Sequence, residues 1–372
     1  MVLLCQLPLR FDRCVPLVHF RDPLPRQDGA VFLVGRGFAC KPATTFQAGT
    51  LLFAPNTSSV SESRFQFLEL GGKLRRPAVA AAAEPAAAPR VSFRLAETIG
   101  SFGSQLGEFS GPAGIAIDPD NCLYVADSSN NRIQKITPEG DVYGLGGPDV
   151  LLHPQGVAVD GARFIYVCEQ GANRVQKFGP SGQFVYWLGG PSASQARFAS
   201  PTAICLDCYH HIYIADTDND RITSYTATGI WYMDYVSPAK EVALSRPQGV
   251  AVDLEGRIHI ADTMNHRVIR LNAQGKLDAI IGRPGPEFGG LAEPCGLAID
   301  PDGGLWVADA GNDRVQKFTV DGEAVCCFPE TPTPETALNA PRGVAVDAAG
   351  SVYVSDTLNH RVLRLESAGV EW

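Results

Sequence analysis

The chain lacks any uninterrupted apolar segment long enough to cross a membrane. A membrane-spanning helix needs about 20 predominantly apolar residues, whereas charged residues, glycine and proline interrupt every apolar stretch of this 372-residue sequence. Residues 1–9 have no basic segment and contain Pro8, so they do not resemble a secretory signal. We therefore expect no membrane span and a cytoplasmic location, with import into an organelle by a basic N-terminal transit segment as the alternative.

Motifs of the common enzyme classes are also missing. The sequence contains no GxSxG, HExxH, P-loop or Rossmann spacing. Its ten cysteines are too sparse for a secreted disulfide scaffold. Cys205 and Cys208 have CxxC spacing, but no second pair accompanies them as a zinc site would require. We assign no catalytic residue, no metal site and no cofactor.

Charge is unevenly distributed. Charged residues are 19% of the chain and apolar residues 45%, which excludes bulk disorder. Residues 1–90 carry 9 Arg and 2 Lys against 6 acidic residues, a net charge of +5. Residues 91–372 carry 15 Arg and 5 Lys against 34 acidic residues, a net charge of −14. Because such a domain repels phosphate backbones, nucleic-acid binding is not expected.

The dominant feature is a repeat of about 46 residues. An arginine closes a similar short motif in every repeat, and successive arginines are 42, 47, 46, 47 and 47 residues apart. A recurring aspartate follows the same intervals. The six arginines are Arg132, Arg174, Arg221, Arg267, Arg314 and Arg361, and the six aspartates are Asp118, Asp160, Asp207, Asp253, Asp300 and Asp347. Two landmarks with one set of intervals indicate six copies of one structural unit.

Each repeat reads as four short strands. In the fourth repeat, apolar residues alternate over 249–253, 257–262, 267–271 and 276–281, and turn-forming residues separate these segments. Four strands per repeat of this length are typical of a propeller blade. The predicted fold is all-β, a six-bladed β-propeller of four-stranded antiparallel blades over residues 91–372. We expect it to be monomeric.

The two ends of the repeat region predict how the ring closes. The last repeat leaves little room for a fourth strand after residues 361–365, whereas residues 91–100 resemble a displaced fourth strand. We expect these two segments to pair. Before them, we expect a basic, partly ordered β segment over residues 1–74, with strands near 30–34 and 64–70, and a Pro/Ala-rich linker over 75–90.

The repeats resemble the NHL family. Their shared motifs are Pro-x-Gly-[ILV]-Ala-[VI]-Asp and, on the next strand, [LI]-Tyr-Val-Ala-Asp-[ST]-x-Asn-x-Arg. The resemblance implies a six-bladed propeller but no single activity, because NHL-type propellers include lyases, RNA-binding regulators and interaction modules. Lyases of the amidating type use channel histidines after the repeat proline, and no such position is histidine here. Glu169, Ala172 and Ala203 depart from the motif, which predicts altered local structure in the second and third blades.

The recurrent residues favour a structural role. Asp127, Asp216, Asp262, Asp309 and Asp356 end the second strands, and an arginine follows each of them five residues later. We interpret these pairs as a lock at each corner of the sheet, with a cation-binding acidic ring as the alternative. His266 and His360, at variable corner positions, are expected to be solvated surface residues.

Candidate ligand residues lie where the repeat varies. First strands line the channel of a propeller, and their starts share one face with the corners between second and third strands. The polar candidates for the channel mouth are Gln155, Thr202, Gln248, Arg342 and His153. The candidates for an exposed protein-binding rim are Trp231, Tyr232, Tyr235, Met264 and Leu358. The alternatives are a water-filled mouth and, for Trp231 and Tyr235, an outer strand that covers the core.

Missing catalytic motifs beside a variable aromatic rim favour a non-catalytic scaffold that binds a protein or peptide on its loop-rich face. The alternative is an enzyme or small-ligand binder at the channel mouth, with or without the assistance of a metal, and lyase- or hydrolase-like.

Overall fold

The computed structural model describes residues 51–55, 65–69, 90–147, 149–189, 197–236 and 242–371. The chain divides into two compact units, Met1–Pro85 and Ala86–Trp372. In the first unit, strands β1 (Leu51–Pro55) and β2 (Phe65–Glu69) pair antiparallel. The strand expected near 30–34 and most of the expected linker, 75–89, lie outside the described residues.

The second unit contains six four-stranded antiparallel sheets, which confirms the predicted six-bladed propeller. Blade 1 consists of β4 (Pro112–Ile117), β5 (Leu123–Asp127), β6 (Arg132–Ile136) and β7 (Val142–Gly146). Blade 2 consists of β8 (Pro154–Val159), β9 (Ile165–Glu169), β10 (Arg174–Phe178) and β11 (Phe184–Gly189). Blade 3 consists of β12 (Pro201–Leu206), β13 (Ile212–Asp216), β14 (Arg221–Tyr225) and β15 (Trp231–Tyr235).

The remaining blades follow the same order from the channel outward. Blade 4 consists of β16 (Gly249–Val252), β17 (Ile258–Asp262), β18 (Arg267–Leu271) and β19 (Leu277–Ile281). After a short parallel bridge of β20 (Arg283–Pro284) and β21 (Gly290–Leu291), blade 5 consists of β22 (Pro294–Ile299), β23 (Leu305–Asp309), β24 (Arg314–Phe318) and β25 (Ala324–Phe328). Blade 6 consists of β26 (Gly343–Val346), β27 (Val352–Asp356), β28 (Arg361–Glu371) and β3 (Arg90–Ile99).

Helical structure in the described residues is limited to single 3₁₀ turns at five of the six corners between second and third strands. These turns are Ser128–Asn130, Thr217–Asn219, Thr263–Asn265, Ala310–Asn312 and Thr357–Asn359. Blade 2 has no such turn, in line with the altered corner that Glu169 and Ala172 predicted. No helix in the described part of the chain is long and apolar enough to cross a membrane.

The hydrophobic core lies between blades. Ile222 of blade 3 and Ile260 of blade 4, each fully buried, belong to the same apolar cluster. Five of the six second strands are buried along their whole length, and in blade 6 only Tyr353 is partly exposed, because a blade covers these strands on each face. A single blade has no such cover, so the blades depend on their neighbours for stability.

The repeat glycine of the first strand permits close approach between neighbouring blades. A Cβ on Gly249 would lie 1.9 Å from the carbonyl oxygen of Cys295, and one on Gly296 would lie 2.4 Å from that of Arg342. A side chain at either position would therefore push the innermost strands apart. Blade 3, which carries Ala203 instead, is the exception.

The ring closes as predicted, through strands from opposite ends of the repeat region. β3 pairs with β28 from Ile99, opposite Val362, to Arg90, opposite Glu371. Leu95 packs on the core of blade 6, and the ring of Phe93 meets that of Trp306 in blade 5 edge to face at 4.8 Å. The closing strand therefore completes both a sheet and a boundary between two blades.

Candidate binding face at the corners of the blades

One face of the ring, here called the corner face, carries the starts of the first strands and the corners between second and third strands. At four blade boundaries a corner hydroxyl donates a hydrogen bond to the carbonyl of the next blade's repeat proline. These pairs are Ser128–Pro154, Thr217–Pro247, Thr263–Pro294 and Thr357–Pro112, at 2.5 to 2.8 Å. Blades 2 and 5 carry Gln170 and Ala310 at this position, so their boundaries with blades 3 and 6 lack the bond.

Every corner holds a fully buried carboxylate that several donors satisfy. Asp309 accepts the backbone N–H of Ala292 at 2.6 Å and the Nδ2 of Asn312 at 2.9 Å. It also accepts the Nε of Arg314 at 2.8 Å and the Nε2 of Gln316 at 3.1 Å. This network confirms the interpretation of the repeated carboxylates as corner locks. Because its oxygens are already occupied, Asp309 is not available to a ligand.

Blade 2 makes the same lock with a glutamate. Glu169 accepts the backbone N–H of Leu152 at 2.9 Å, the Nε of Arg174 at 2.6 Å and the Nε2 of Gln176 at 2.7 Å. Ala172, which replaces the usual asparagine, contributes no side-chain hydrogen bond. The longer glutamate therefore keeps the lock, while the corner loses one polar side chain.

A second bond clamps each blade to the next, and it involves the two corner histidines. Each corner ends in a left-handed residue whose side chain accepts the backbone N–H of a residue that precedes a repeat proline. The acceptors are Asn131, Asn173, Asp220, His266, Asp313 and His360. The donors are His153, Ser200, Arg246, Glu293, Ala340 and Gly111, which are left-handed as well.

The expectation that His266 and His360 are merely solvated was wrong. The Nδ1 atom of His266 lies 3.0 Å from the backbone nitrogen of Glu293, and that of His360 lies 3.0 Å from the backbone nitrogen of Gly111. An N–H group can donate only to an unprotonated ring nitrogen, so these imidazoles carry their proton on Nε2. Both histidines are structural acceptors.

We predict that His266→Leu lowers the free energy of unfolding by about 1 kcal/mol, because the Glu293 N–H loses its acceptor. His266→Asn should retain most of that stability, since Asn131 and Asn173 perform the same task with the same left-handed backbone. Urea denaturation of the two variants and the wild type measures the difference. Equal destabilisation by Leu and Asn would contradict the clamp.

The second recurring aspartate stabilises the opposite end of each blade. Asp253 accepts the Nε2 of His259 at 3.0 Å and the Nε of Arg257 at 2.6 Å. Burial alone would raise the pKa of Asp253, but these hydrogen bonds lower it to about 2. A depressed carboxyl pKa contributes stability at pH values above the unfolded-state pKa, and that stability is lost as the pH falls toward 2. Like the corner carboxylates, the Asp253 carboxylate is already occupied by structural hydrogen bonds.

The structure brings the predicted channel-mouth residues together. Gln155, Thr202, Gln248 and Arg342 line one cavity with Ala113 and Cys295. The exposed His153 lies at its edge, with Nδ1 3.0 Å from the Nε2 of Gln155. The free volume within the channel is about 70 Å³, which is room for a few water molecules. A larger ligand would have to sit on the mouth rather than inside it.

The residues that line the mouth offer hydrogen bonds and the positive charge of Arg342, and His153 adds an imidazole at the edge. Burial raises the pKa of the Cys295 thiol to about 12, although the Arg342 cation lowers it. At neutral pH this sulfur is therefore a thiol and a poor nucleophile. Within the part of the chain that the structure describes, no group of three His, Cys, Asp or Glu side chains is placed to hold a metal ion. Whether the mouth binds a ligand stays a prediction.

The five rim candidates do not form one surface. Trp231, Tyr232 and Tyr235 belong to β15, the outer strand of blade 3, and not to a connecting loop. The strand register places Trp231 away from the corner face, opposite Tyr225. Tyr235 is only 9% exposed and stacks on Tyr213. Tyr235 therefore lies on an outer strand and covers the core, as the alternative predicted.

The corner face keeps two rim candidates and adds residues that the repeat did not indicate. Met264 and Leu358 are 47% and 56% exposed at their corners. Phe102, in the loop before blade 1, is 69% exposed, and its ring lies 4.7 Å from that of His360. Val150 and Leu152 are exposed in the loop before blade 2. Phe102, Val150 and Leu152 lie in connecting loops outside the aligned motifs. The only sequence signal for them as candidates was an apolar residue in a loop.

Comparison with known proteins agrees with this fold. The family model of the NHL repeat matches residues 109–136, 291–318 and 338–365, which lie in blades 1, 5 and 6. No curated protein sequence matches the chain. With six four-stranded blades and these three matches, the chain is an NHL-repeat six-bladed β-propeller.

Solved structures similar to the chain share its fold at low identity. A streptogramin B lyase is 21% identical, with a TM-score of 0.54, over 74% of this chain and 98% of that one. A gluconolactonase from Xanthomonas campestris is 18% identical, with a TM-score of 0.57, over 79% and 99%. A PQQ-bound aldose sugar dehydrogenase from Streptomyces coelicolor is 17% identical, with a TM-score of 0.51, over 75% and 100%. At these identities the likeness extends to the fold alone.

Proposed function

We propose that the protein is a non-catalytic interaction scaffold whose corner face binds a protein or peptide. One observation carries the proposal. The corner carboxylates and both corner histidines are occupied by structural hydrogen bonds, whereas apolar side chains at the variable positions of the same face are exposed. Exposed apolar groups beside a polar mouth are typical of a protein-binding surface.

The net charge of the propeller indicates the charge of the partner that it binds. Residues 91–372 have a net charge of −14, so a basic or neutral protein approaches this surface more readily than an acidic one. The same charge argues against nucleic acid as the partner. A monomeric propeller and a cytoplasmic location remain predictions.

The test is recovery of partner proteins from cell extract by the tagged chain. The double variant Met264→Ser and Leu358→Ser should lose most of the partner, because each removes an exposed apolar group from the corner face. Leu254→Ser is the matched control, since Leu254 is 85% exposed in the turn between β16 and β17, on the opposite face. Equal recovery by the double variant and the control would contradict the proposal.

A small-ligand site at the channel mouth is the second candidate function. It is supported by the convergence of Gln155, Gln248 and Arg342 on one cavity. Three of the similar structures are those of a lyase, a gluconolactonase and a dehydrogenase. The mouth presents a thiol of raised pKa, two amides, the Thr202 hydroxyl, the Arg342 guanidinium and, at its edge, the His153 imidazole, and these groups do not form a catalytic motif. For this reason the scaffold is the function that we favour.

A further inference from the structure

The corner of blade 2 lacks two side chains that most other corners carry. In the other five blades, the two residues at this point end in asparagine: Ser129-Asn130, Asp218-Asn219, Met264-Asn265, Gly311-Asn312 and Leu358-Asn359. Blade 2 has Gly171 and Ala172 instead. A cavity of about 440 Å³ opens beside them. This cavity, here called the blade 2 pocket, is open on the corner face.

The missing asparagine accounts for part of the space. In blade 4, the Nδ2 of Asn265 bonds to Asp262 at 2.9 Å and to the carbonyl of Ala243 in the preceding loop at 3.1 Å, so its side chain fills the gap between corner and loop. With Ala172 the gap stays open. The equivalent loop carbonyl, that of Val150, accepts the Nε2 of Gln176 at 2.8 Å instead. The corner therefore keeps its polar atoms bonded while it loses volume.

The walls of the blade 2 pocket are mainly apolar. Val150, Leu151 and Leu152 line one side, with Val150 43% and Leu152 47% exposed. Gly171 lies against Leu152, where a Cβ would come within 2.7 Å of the leucine side chain and 3.0 Å of its carbonyl oxygen. A glycine here is thus required for the present position of Leu152. The glycine and the leucine together shape the pocket.

Two charged residues lie at the edges of the pocket, and they differ in availability. Arg174 is paired with Glu169, whose oxygens lie 2.6 and 3.1 Å from its guanidinium nitrogens. Asp149 is exposed and makes no ion pair with any residue that the structure describes. The unpaired charge at the edge is therefore negative, which has the same sign as the net charge of residues 91–372.

We propose that the blade 2 pocket binds one bulky apolar side chain of a partner protein, from a segment that carries a basic residue next to it. The apolar side chain packs against Val150 and Leu152 above the small residues Gly171 and Ala172, and the basic residue pairs with Asp149. This proposal rests on the corner face as the docking surface. A second copy of this chain fits less well, because it would bring a like net charge to the pocket.

The probes are N-acetylated peptides of sequence Gly-Ser-Phe-Lys-Ser-Gly with fluorescein attached through the C-terminal carboxyl group, so that the lysine amine stays free. Phe→Ala and Lys→Glu versions are the controls. Fluorescence anisotropy at low salt should show saturable binding of the parent peptide to the full chain. We expect the Ala version to bind about tenfold more weakly or worse, because it leaves the apolar walls exposed. The Lys→Glu version should also bind more weakly, and that difference should shrink with added salt.

The decisive protein variant is Ala172→Asn. It restores the residue found in the other five corners, so it should fold and keep its melting temperature while it narrows the pocket beside Leu152. We expect this substitution to weaken binding of the parent peptide about tenfold and to leave binding of the Ala peptide unchanged. No binding of the parent peptide to the wild type would overturn the proposal, as would equal affinities for Phe and Ala peptides or an unaffected Ala172→Asn protein.

Failure of the pocket is distinguishable from failure of the scaffold. If Ala172→Asn recovers its cellular partner normally while Met264→Ser with Leu358→Ser does not, the corner face survives and the pocket is wrong. If the peptide results hold but the double variant recovers its partner as well as Leu254→Ser does, the pocket stands and the wider face is wrong. Melting temperatures of all variants separate loss of binding from loss of folding.

Discussion

A chain that begins at residue 100 should fail to form a stable propeller, whereas a chain that begins at residue 89 should fold normally. The shorter chain lacks β3, which pairs with β28 along its length and packs Leu95 and Phe93 into apolar clusters. Its loss leaves a three-stranded blade with an exposed edge and an uncovered boundary with blade 5. We expect an effect comparable with the whole stability of a domain, about 5–15 kcal/mol.

Thermal melts by circular dichroism and size-exclusion chromatography measure this effect. The chain from residue 89 should melt cooperatively as a compact species, and the chain from residue 100 should aggregate or unfold without a transition. Addition of a synthetic peptide of residues 89–99 should restore part of the transition, because that peptide supplies the missing strand. A cooperative, monomeric product from residue 100 alone would refute closure by β3.

Asp309→Ala should destabilise the propeller far more than the loss of a corner histidine does. It leaves the Arg314 guanidinium beside a buried site with no counter-charge and removes the acceptor of Asn312 and Gln316. Removal of one partner from a buried ion pair costs about 3–5 kcal/mol. Asp309→Glu should keep more than half of that stability, since Glu169 makes the same bonds in blade 2.

Urea denaturation curves of the two variants give the comparison directly. The Ala variant should show a lower midpoint with a similar slope, because the same surface is exposed on unfolding. Similar midpoints for Ala and Glu would mean that the carboxylate itself contributes little. In that case the corner would depend on apolar packing alone.

The fold was predictable because each blade repeats the same local signals. Alternating apolar residues defined the strands, and the constant spacing of Asp309 and Arg314 with their equivalents defined the corners. The closing strand followed from a count of strands at the two ends. These features depend on residues close together in the sequence, or on the repeat period itself.

The site was less predictable because it depends on contacts between blades. The role of His266 requires a left-handed backbone and a donor 27 residues away, at Glu293. The burial of Tyr235 follows from the register of β15 against β14, which alternation alone does not fix. The blade 2 pocket results from the small residues Gly171 and Ala172. In the sequence, these two residues only make the corner a poor match to the repeat motif.

Because Gln170 and Ala310 replace the corner hydroxyls, the bond from corner to proline is missing at two opposite boundaries of the ring. Those boundaries divide the ring into two arcs of three blades, one of blades 3 to 5 and one of blades 6, 1 and 2. Within each arc, the corner-to-proline bond joins every blade to the next. The backbone clamps of Ser200 on Asn173 and of Ala340 on Asp313 remain at these two boundaries. We expect the ring to open there first on heating, because the proline bond is lost only there. The blade 2 pocket belongs to a blade that borders one of these boundaries, so a partner that reached across it would hold the two arcs together.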